Sequence, residues 1–323
     1  MTTPAIGLIK KRFPQAEITI LANPLVAQLF SPHAAVDRVI TFDRNGRHRG
    51  IAGRFRLAAE IRSRAFDAVI ILPNSFDSAL IPWLARIPVR LGKCSDGRGL
   101  LLTACYRPGR SAPVRHEVEY YLNLVGHFGI GGQASPPLLC CTGEEIRCTA
   151  EMLAEQGIHE GGFIIGINPG ATYGSAKRWY PERFAEVARR LAAEWGATIM
   201  IFGGPGETGI SGEIEQHLGG TCLNMAGKTG IRQLMTLIKR CNFLITNDSG
   251  PMHMAAAFGV PLVAVFGPTD HATTSPYTEK ARIVLSDIEC APCKLRECPT
   301  DHRCMTDITV EQVVEAALGL SAA

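Results

Sequence analysis

A chain of 323 residues, 46% of them hydrophobic, can bury more core than one mid-sized domain holds, so two domains are expected. Its apolar run over 255–266 is broken by Gly259 and Pro261 and is too short to cross a bilayer, and its first residues show no basic stretch leading into an apolar one, so a cytoplasmic protein is expected. The net charge of +3 hides a division: residues 1–140 hold 18 Lys and Arg against 9 Asp and Glu, a net +9, while residues 141–323 hold 15 against 21, a net −6.

In chain order, residues 5–13 read as a helix with no strand before it, whereas a doubly wound domain ordinarily begins with a strand; the missing strand is expected upstream of Met1. Short β-branched runs then alternate with stretches of helical period, the pattern of a parallel sheet covered by helices. Strands are expected at 17–22, 36–41 and 67–72. Between the last two, residues 44–64 carry arginines at 44, 47, 49, 54, 56, 62 and 64, opposed only by Glu60, and Gly46, Gly50 and Gly53 predict a mobile basic loop. This basic half calls for an anionic partner, and charge alone leaves open nucleic acid, a phosphorylated membrane surface or an acidic substrate.

Gly131, Gly132, Ser135, Pro136 and Pro137 concentrate turn formers where neither periodicity survives, which divides the chain into domains 1–140 and 141–323. In the second domain, strands are expected at 163–168, 197–202, 242–246 and 261–266. A helix starting at Pro181 places Phe184, Val187, Ala188, Leu191 and Trp195 on one face, which should pack on the sheet.

Four of the eleven cysteines cluster as Cys290, Cys293, Cys298 and Cys304; others, such as Cys105, Cys222 and Cys241, sit singly in apolar stretches, where a free thiol packs as a small hydrophobe and implies a reducing compartment. The cluster has two readings. One is a tetrahedral zinc site, with His302 as a substitute ligand; the other, favoured by spacings shorter than those of paired zinc knuckles, is a structural or redox-prone group.

Loops that end strands carry the chemistry. Asn168-Pro169-Gly170-Ala171-Thr172 leads through Ser175 to Lys177, offering backbone N–H groups, hydroxyls and a mobile cation to a phosphate, although an ordinary strand-to-helix connection with a solvated lysine fits equally well. In Thr246-Asn247-Asp248-Ser249-Gly250-Pro251-Met252-His253, Asp248 or Ser249 can cap a helix that has proline in its first turn, and Ser249, Gly250 and His253 would surround a diphosphate. Phe202-Gly203-Gly204-Pro205-Gly206-Glu207 ends in a carboxylate that can accept from ribose hydroxyls, although Gly-Gly-Pro-Gly is also simply a turn, and Gly267-Pro268-Thr269-Asp270, ending a further strand, has the same ambiguity. Four such loops at one sheet edge exceed what turns alone require.

Together, Asn168-Pro169-Gly170-Ala171, Lys177-Arg178-Trp179, Asp248 to His253 and Phe266-Gly267-Pro268-Thr269 resemble the donor domain of glycosyltransferase family 9, the lipopolysaccharide heptosyltransferases. Leu72-Pro73-Asn74-Ser75-Phe76 with Ser78-Ala79-Leu80 is similar to the second heptosyltransferase of that family in particular. The resemblance implies an α/β GT-B fold: two Rossmann-like domains with parallel sheets facing a central cleft, donor in the second, acceptor in the first, and a C-terminal helix packing back on the first. It implies transfer of heptose from ADP-heptose to the lipopolysaccharide inner core with inversion, without metal or cofactor. Peripheral contact with an anionic membrane surface is expected, and no nucleic-acid partner.

Carried over by position, the resemblance gives Lys177 and Thr172 to the donor phosphates, with Lys177 catalytic. Ser249, Gly250 and His253 would bind the diphosphate, Glu207 the ribose, and Asp248 would lie close to the nucleotide. Asn74, Ser75 and Arg90 are expected acceptor contacts, with Lys93 and Arg98 beside them, and the general-base aspartate of the family is expected upstream of Met1. Two other readings are a noncatalytic nucleotide-binding protein and a nucleotide-sugar epimerase of the same fold.

Overall fold

The computed structural model describes residues 1–108 and 116–321, and the chain separates into two compact units, Met1–Ser135 and Pro136–Ala323. The division falls inside the segment rich in glycine and proline. Both units are α/β, and every strand pairing recorded in them is parallel.

The first unit runs α1 (Thr3–Arg12), β1 (Thr19–Ala22), α2 (Pro24–Ala27), β2 (Arg38–Thr41), α3 (Gly50–Arg62), β3 (Ala68–Ile71), α4 (Phe76–Leu84), β4 (Val89–Lys93), β5 (Ala104–Tyr106) and α5 (Glu117–His127). β1 pairs with β2, and β3, β4 and β5 form a separate sheet in that order. The expected basic loop is corrected: residues 50–62 are helix α3. Leu57, Ala58 and Ile61 bury one face of it against Ile81 and Ala85 of the α4 region. Gly53 is needed there because a Cβ would lie 2.2 Å from the backbone carbon of His48.

The cysteine reading changes in this unit too. Register sets Gly92 of β4 opposite Cys105 of β5, which brings Cys94 within bonding distance, and the two form a disulfide. Cys105 is therefore not a lone apolar thiol; Cys222 and Cys241 are unpaired.

The second unit runs α6 (Gly143–Glu155), β6 (Ile164–Asn168), α7 (Pro181–Trp195), β7 (Thr198–Ile201), α8 (Thr208–His217), β8 (Leu223–Asn224), α9 (Ile231–Arg240) and β9 (Phe243–Asn247). It continues with α10 (Gly250–Phe258), β10 (Leu262–Phe266), α11 (His271–Thr274), β11 (Ala281–Leu285), α12 (Arg303–Thr306) and α13 (Val310–Ser321). The sheet order is β11-β10-β9-β6-β7-β8. β6, β9 and β10 are buried along their whole length, which explains their near-continuous apolar character.

Phe184, Val187, Ala188 and Leu191 of α7 are fully buried against Ile165, Ile167, Val263 and Val265 of the sheet, each larger side chain contributing about 1.5–3 kcal/mol. α7 stops at Gly196, whose φ of 61° suits glycine. The C-terminal helix Val310–Ser321 follows directly on Met305 and Ile308, and its buried residues Val313 and Ala317 join them in this second core.

Candidate donor-binding site

From β6 the chain builds outward to β7 and β8, then returns to lay β9 on the other side of β6. This reversal is a topological switch point, where connections leave the sheet in opposite directions and open a crevice at the carboxyl ends of the strands. The loops after β6 and β9 flank it.

Each of those two strands ends in a buried asparagine. Asn168 Nδ2 donates to Ser249 Oγ at 2.9 Å, to the Gly170 carbonyl and to Thr246 Oγ1, both at 3.3 Å. Asn247 Nδ2 donates to the Pro169 carbonyl at 2.6 Å, while its Oδ1 accepts from the Trp179 N–H at 3.2 Å. The two side chains therefore stitch the loop after β6 to the loop after β9. Neither role is legible in the local sequence, where the available signal is a polar residue ending an otherwise apolar strand.

Lys177 was expected to be mobile and is instead held. Its Nζ lies 2.5 Å from Asp248 Oδ2, with side-chain exposures of 12% and 6%, and 4.8 Å from the centre of the Tyr173 ring. Thr269 Oγ1, from the loop after β10, donates to the same Asp248 oxygen at 2.6 Å. Loops from three strands thus meet in one charged group, and Thr269 is a participant that the sequence left ambiguous.

This pairing also corrects the capping assignment. Ser249 is the N-cap residue of α10, but neither it nor Asp248 caps the helix through a side chain; Ser249 Oγ faces Asn168 and Thr246. With Pro251 in the first turn and no side-chain cap, the N–H groups of that turn and the positive end of the helix remain turned toward the crevice. Gly250 begins the helix, and His253 lies half-buried one turn beyond Ser249 on the same side. Thr172 is exposed in the loop after β6.

Glu207 ends the short turn Pro205–Glu207 after β7, where its Oε2 accepts from the Gly204 N–H at 2.7 Å. The carboxylate packs on Gly170 so closely that a Cβ there would lie 2.1 Å from Glu207 Cδ. Gly170 is required by this approach, which sets the acid beside the loop after β6.

The cysteine segment braces that loop from outside. The Arg296 carbonyl accepts from the Ala176 N–H at 3.0 Å, the Lys294 carbonyl accepts from Tyr173 Oη at 2.7 Å, and Lys294 N–H donates to the Pro268 carbonyl at 2.7 Å. Both ring nitrogens of His302 are engaged, Nε2 with the Ala176 carbonyl at 2.8 Å and Nδ1 with Tyr180 Oη at 3.2 Å. His302 is thereby removed from the ligand set proposed for zinc, and among the described residues no group of three or more His, Cys, Asp or Glu is placed to hold a metal ion. Cys304 is buried, and burial pushes its thiol up to about 11.

In the first unit, Asn74 and Ser75 are exposed beyond the carboxyl end of β3. Tyr120 Oη donates to Asn74 Oδ1 at 2.8 Å, and the fully buried Arg98 guanidinium spans the Lys93 and Ser75 carbonyls and Ser78 Oγ beneath the loop. Arg90 is not brought to this place. It lies opposite Val69 at the start of β4, where its guanidinium donates to the Leu101 carbonyl at 2.7 Å and to the Ile87 carbonyl, so it ties down backbone at the other end of the sheet. An open cavity of about 650 Å³ lies at the ends of β1 and β2, with Asn23, Asp43, Arg44, Asn45, His48 and Arg54 among its lining residues. Arg54 is bidentate to Asp77.

Two α/β units with parallel sheets, the second carrying Lys177, Asp248 and the start of α10 at its switch point, define a glycosyltransferase of the GT-B class. The model of glycosyltransferase family 9 (heptosyltransferase) matches residues 54–303, and the chain belongs to that family. Lipopolysaccharide heptosyltransferase 2 of Salmonella typhimurium is 34% identical over 324 residues, covering 95% of this chain and 90% of that protein. The solved structure of Escherichia coli ADP-heptose LPS heptosyltransferase II superposes with a TM-score of 0.81 at 30% identity, over 99% of this chain and 93% of that one. A family 9 glycosyltransferase from Veillonella parvula superposes with a TM-score of 0.90 at 28% identity, over 99% and 92%.

Proposed function

We propose that the chain transfers heptose from ADP-heptose to the inner core of lipopolysaccharide, with inversion at the anomeric carbon. The observation that carries this reading is the Lys177–Asp248–Thr269 group beside the uncapped first turn of α10, at the switch point of the second sheet. The names of the similar proteins, heptosyltransferase 2 and ADP-heptose LPS heptosyltransferase II, support the donor and acceptor.

In this reading the diphosphate sits between Lys177 and the N–H groups that begin α10 at Gly250. Thr172, Ser249 and His253 lie around it, and Glu207 accepts hydrogen bonds from the ribose. As the glycosidic bond breaks, negative charge gathers on the departing ADP; an ammonium group and a helix N-terminus already aimed at that charge lower the barrier without reorganising. Asp248 keeps Lys177 in place until the diphosphate shares it. Asn74 and Ser75 contact the acceptor, and the cavity bearing Arg44 and Arg54 suits its carboxylates and phosphates. Because that acceptor is lipid-borne, the chain works in peripheral contact with an anionic membrane surface.

The test is incubation of the purified chain with ADP-heptose and an inner-core acceptor, following ADP release and acceptor mass. A gain of one heptose on the acceptor supports transfer. Donor bound without turnover selects the noncatalytic reading, and donor altered with acceptor unchanged selects the epimerase.

A further inference from the structure

Helix α3 has a second apolar stripe that its own fold does not use. While Leu57, Ala58 and Ile61 face the core, Ile51, Phe55 and Ala59 recur at four-residue spacing along the flank beside that face, in solvent. Ile51 is 75% exposed and Phe55 57%, and Leu25 of α2, 61% exposed, lies across the cavity that Gly50 and Arg54 also line. Single exposed apolar side chains are ordinary, but an aligned row on one helix is a surface meant to be covered.

The rim says what covers it. Arg49 precedes the stripe, Arg56 flanks it and Arg62 and Arg64 follow it; none of the four has an ion pair among the described residues, and all are exposed. The geometry points to α3 as the membrane-docking helix of this chain, with Ile51 and Phe55 inserted among the lipids of an anionic bilayer and the surrounding arginines on its headgroups. An apolar stripe edged by arginine is the pattern of a helix lying in the interface plane, its apolar face about 5–10 Å into the headgroup boundary. A second copy of the chain fits worse, because a two-fold contact through this stripe would set the same unpaired arginines against each other. The inference rests on the reading that the acceptor is carried by a lipid, and it names the surface by which the chain reaches it.

The experiment is co-sedimentation of the full chain with vesicles of phosphatidylglycerol and phosphatidylethanolamine, against vesicles of phosphatidylcholine alone. Binding to the anionic vesicles is expected. It should weaken about tenfold or more in the double variant Ile51→Ser, Phe55→Ser, and weaken with added salt and in Arg62→Gln, Arg64→Gln. Transfer to a delipidated, water-soluble acceptor should be unchanged in the serine variant, which shows that it folds. Equal binding of the serine variant, equal binding to neutral vesicles, or a dimer that this variant turns into monomer by sedimentation velocity would each overturn the proposal. Transfer to the soluble acceptor without vesicle binding overturns this surface and leaves the proposed reaction standing; vesicle binding without any transfer does the reverse.

Discussion

Lys177 Nζ and Asp248 Oδ2 stand 2.5 Å apart across the switch point of the second sheet, 71 residues apart in sequence. Removing the cation does two separable things. Lys177→Ala takes away the ammonium proposed to meet the departing diphosphate, so kcat/KM should fall by about 10²–10³-fold. It also strands a nearly buried carboxylate, which costs stability of about 3 kcal/mol or more. Lys177→Met combined with Asp248→Asn should restore much of the melting temperature and none of the rate, as measured by calorimetry alongside ADP release.

Gly170→Ala should act through Glu207. The added Cβ must displace the carboxylate or the loop after β6, a strain of about 1–3 kcal/mol. Donor KM should rise, and Glu207→Ala in the same chain should recover stability while leaving KM high. Steady-state kinetics of the three variants separate these effects.

Acid should loosen the second unit through one capping interaction. Glu145 closes a capping box with Thr142 at the start of α6, and Arg232 of α9 grips both its oxygens, at 2.7 Å and 2.5 Å. The Arg232 guanidinium lowers the Glu145 carboxyl from an ordinary 4.5 to about 2. A folded-state value below the unfolded one means that the contribution is complete above about pH 4.5 and lost as pH falls toward about 2. Partly exposed, the pair should account for about 2 kcal/mol across that window. Urea unfolding at a series of pH values should show a shallower acid slope in Glu145→Gln than in the parent.

The legible parts of the sequence were those written locally. The strands of the second sheet announced themselves as buried β-branched runs, and the helix at Pro181 by its single apolar face. The loops at their ends stood out because glycine, hydroxyl and lysine stand together. Helix α3 was hidden because both its faces are apolar and arginines fill the flanks, which blurs the helical period. β4, β5, β8 and β11 went unread, β8 being two residues long and β5 three. Contacts distant in sequence were illegible: nothing in the neighbourhood of His302 says that Tyr180 and Ala176 hold its ring.

The cysteines give a count that a thiol reagent can check. Nine are free and two are joined as Cys94–Cys105. Unfolded without reductant, the chain should titrate nine thiols, and eleven after reduction; Cys105→Ser should leave ten without reductant or with it. Eleven thiols in the unreduced parent would remove the disulfide.

In the proposed reaction the second unit holds a nucleoside diphosphate between Lys177 and the start of α10. A crystal structure of the chain with ADP tests it most directly. Phosphate oxygens are expected within about 3 Å of Lys177 Nζ and of the first N–H groups of α10, with the ribose beside Glu207. ADP bound elsewhere, with Lys177 still closed on Asp248 and the helix terminus in water, would contradict it.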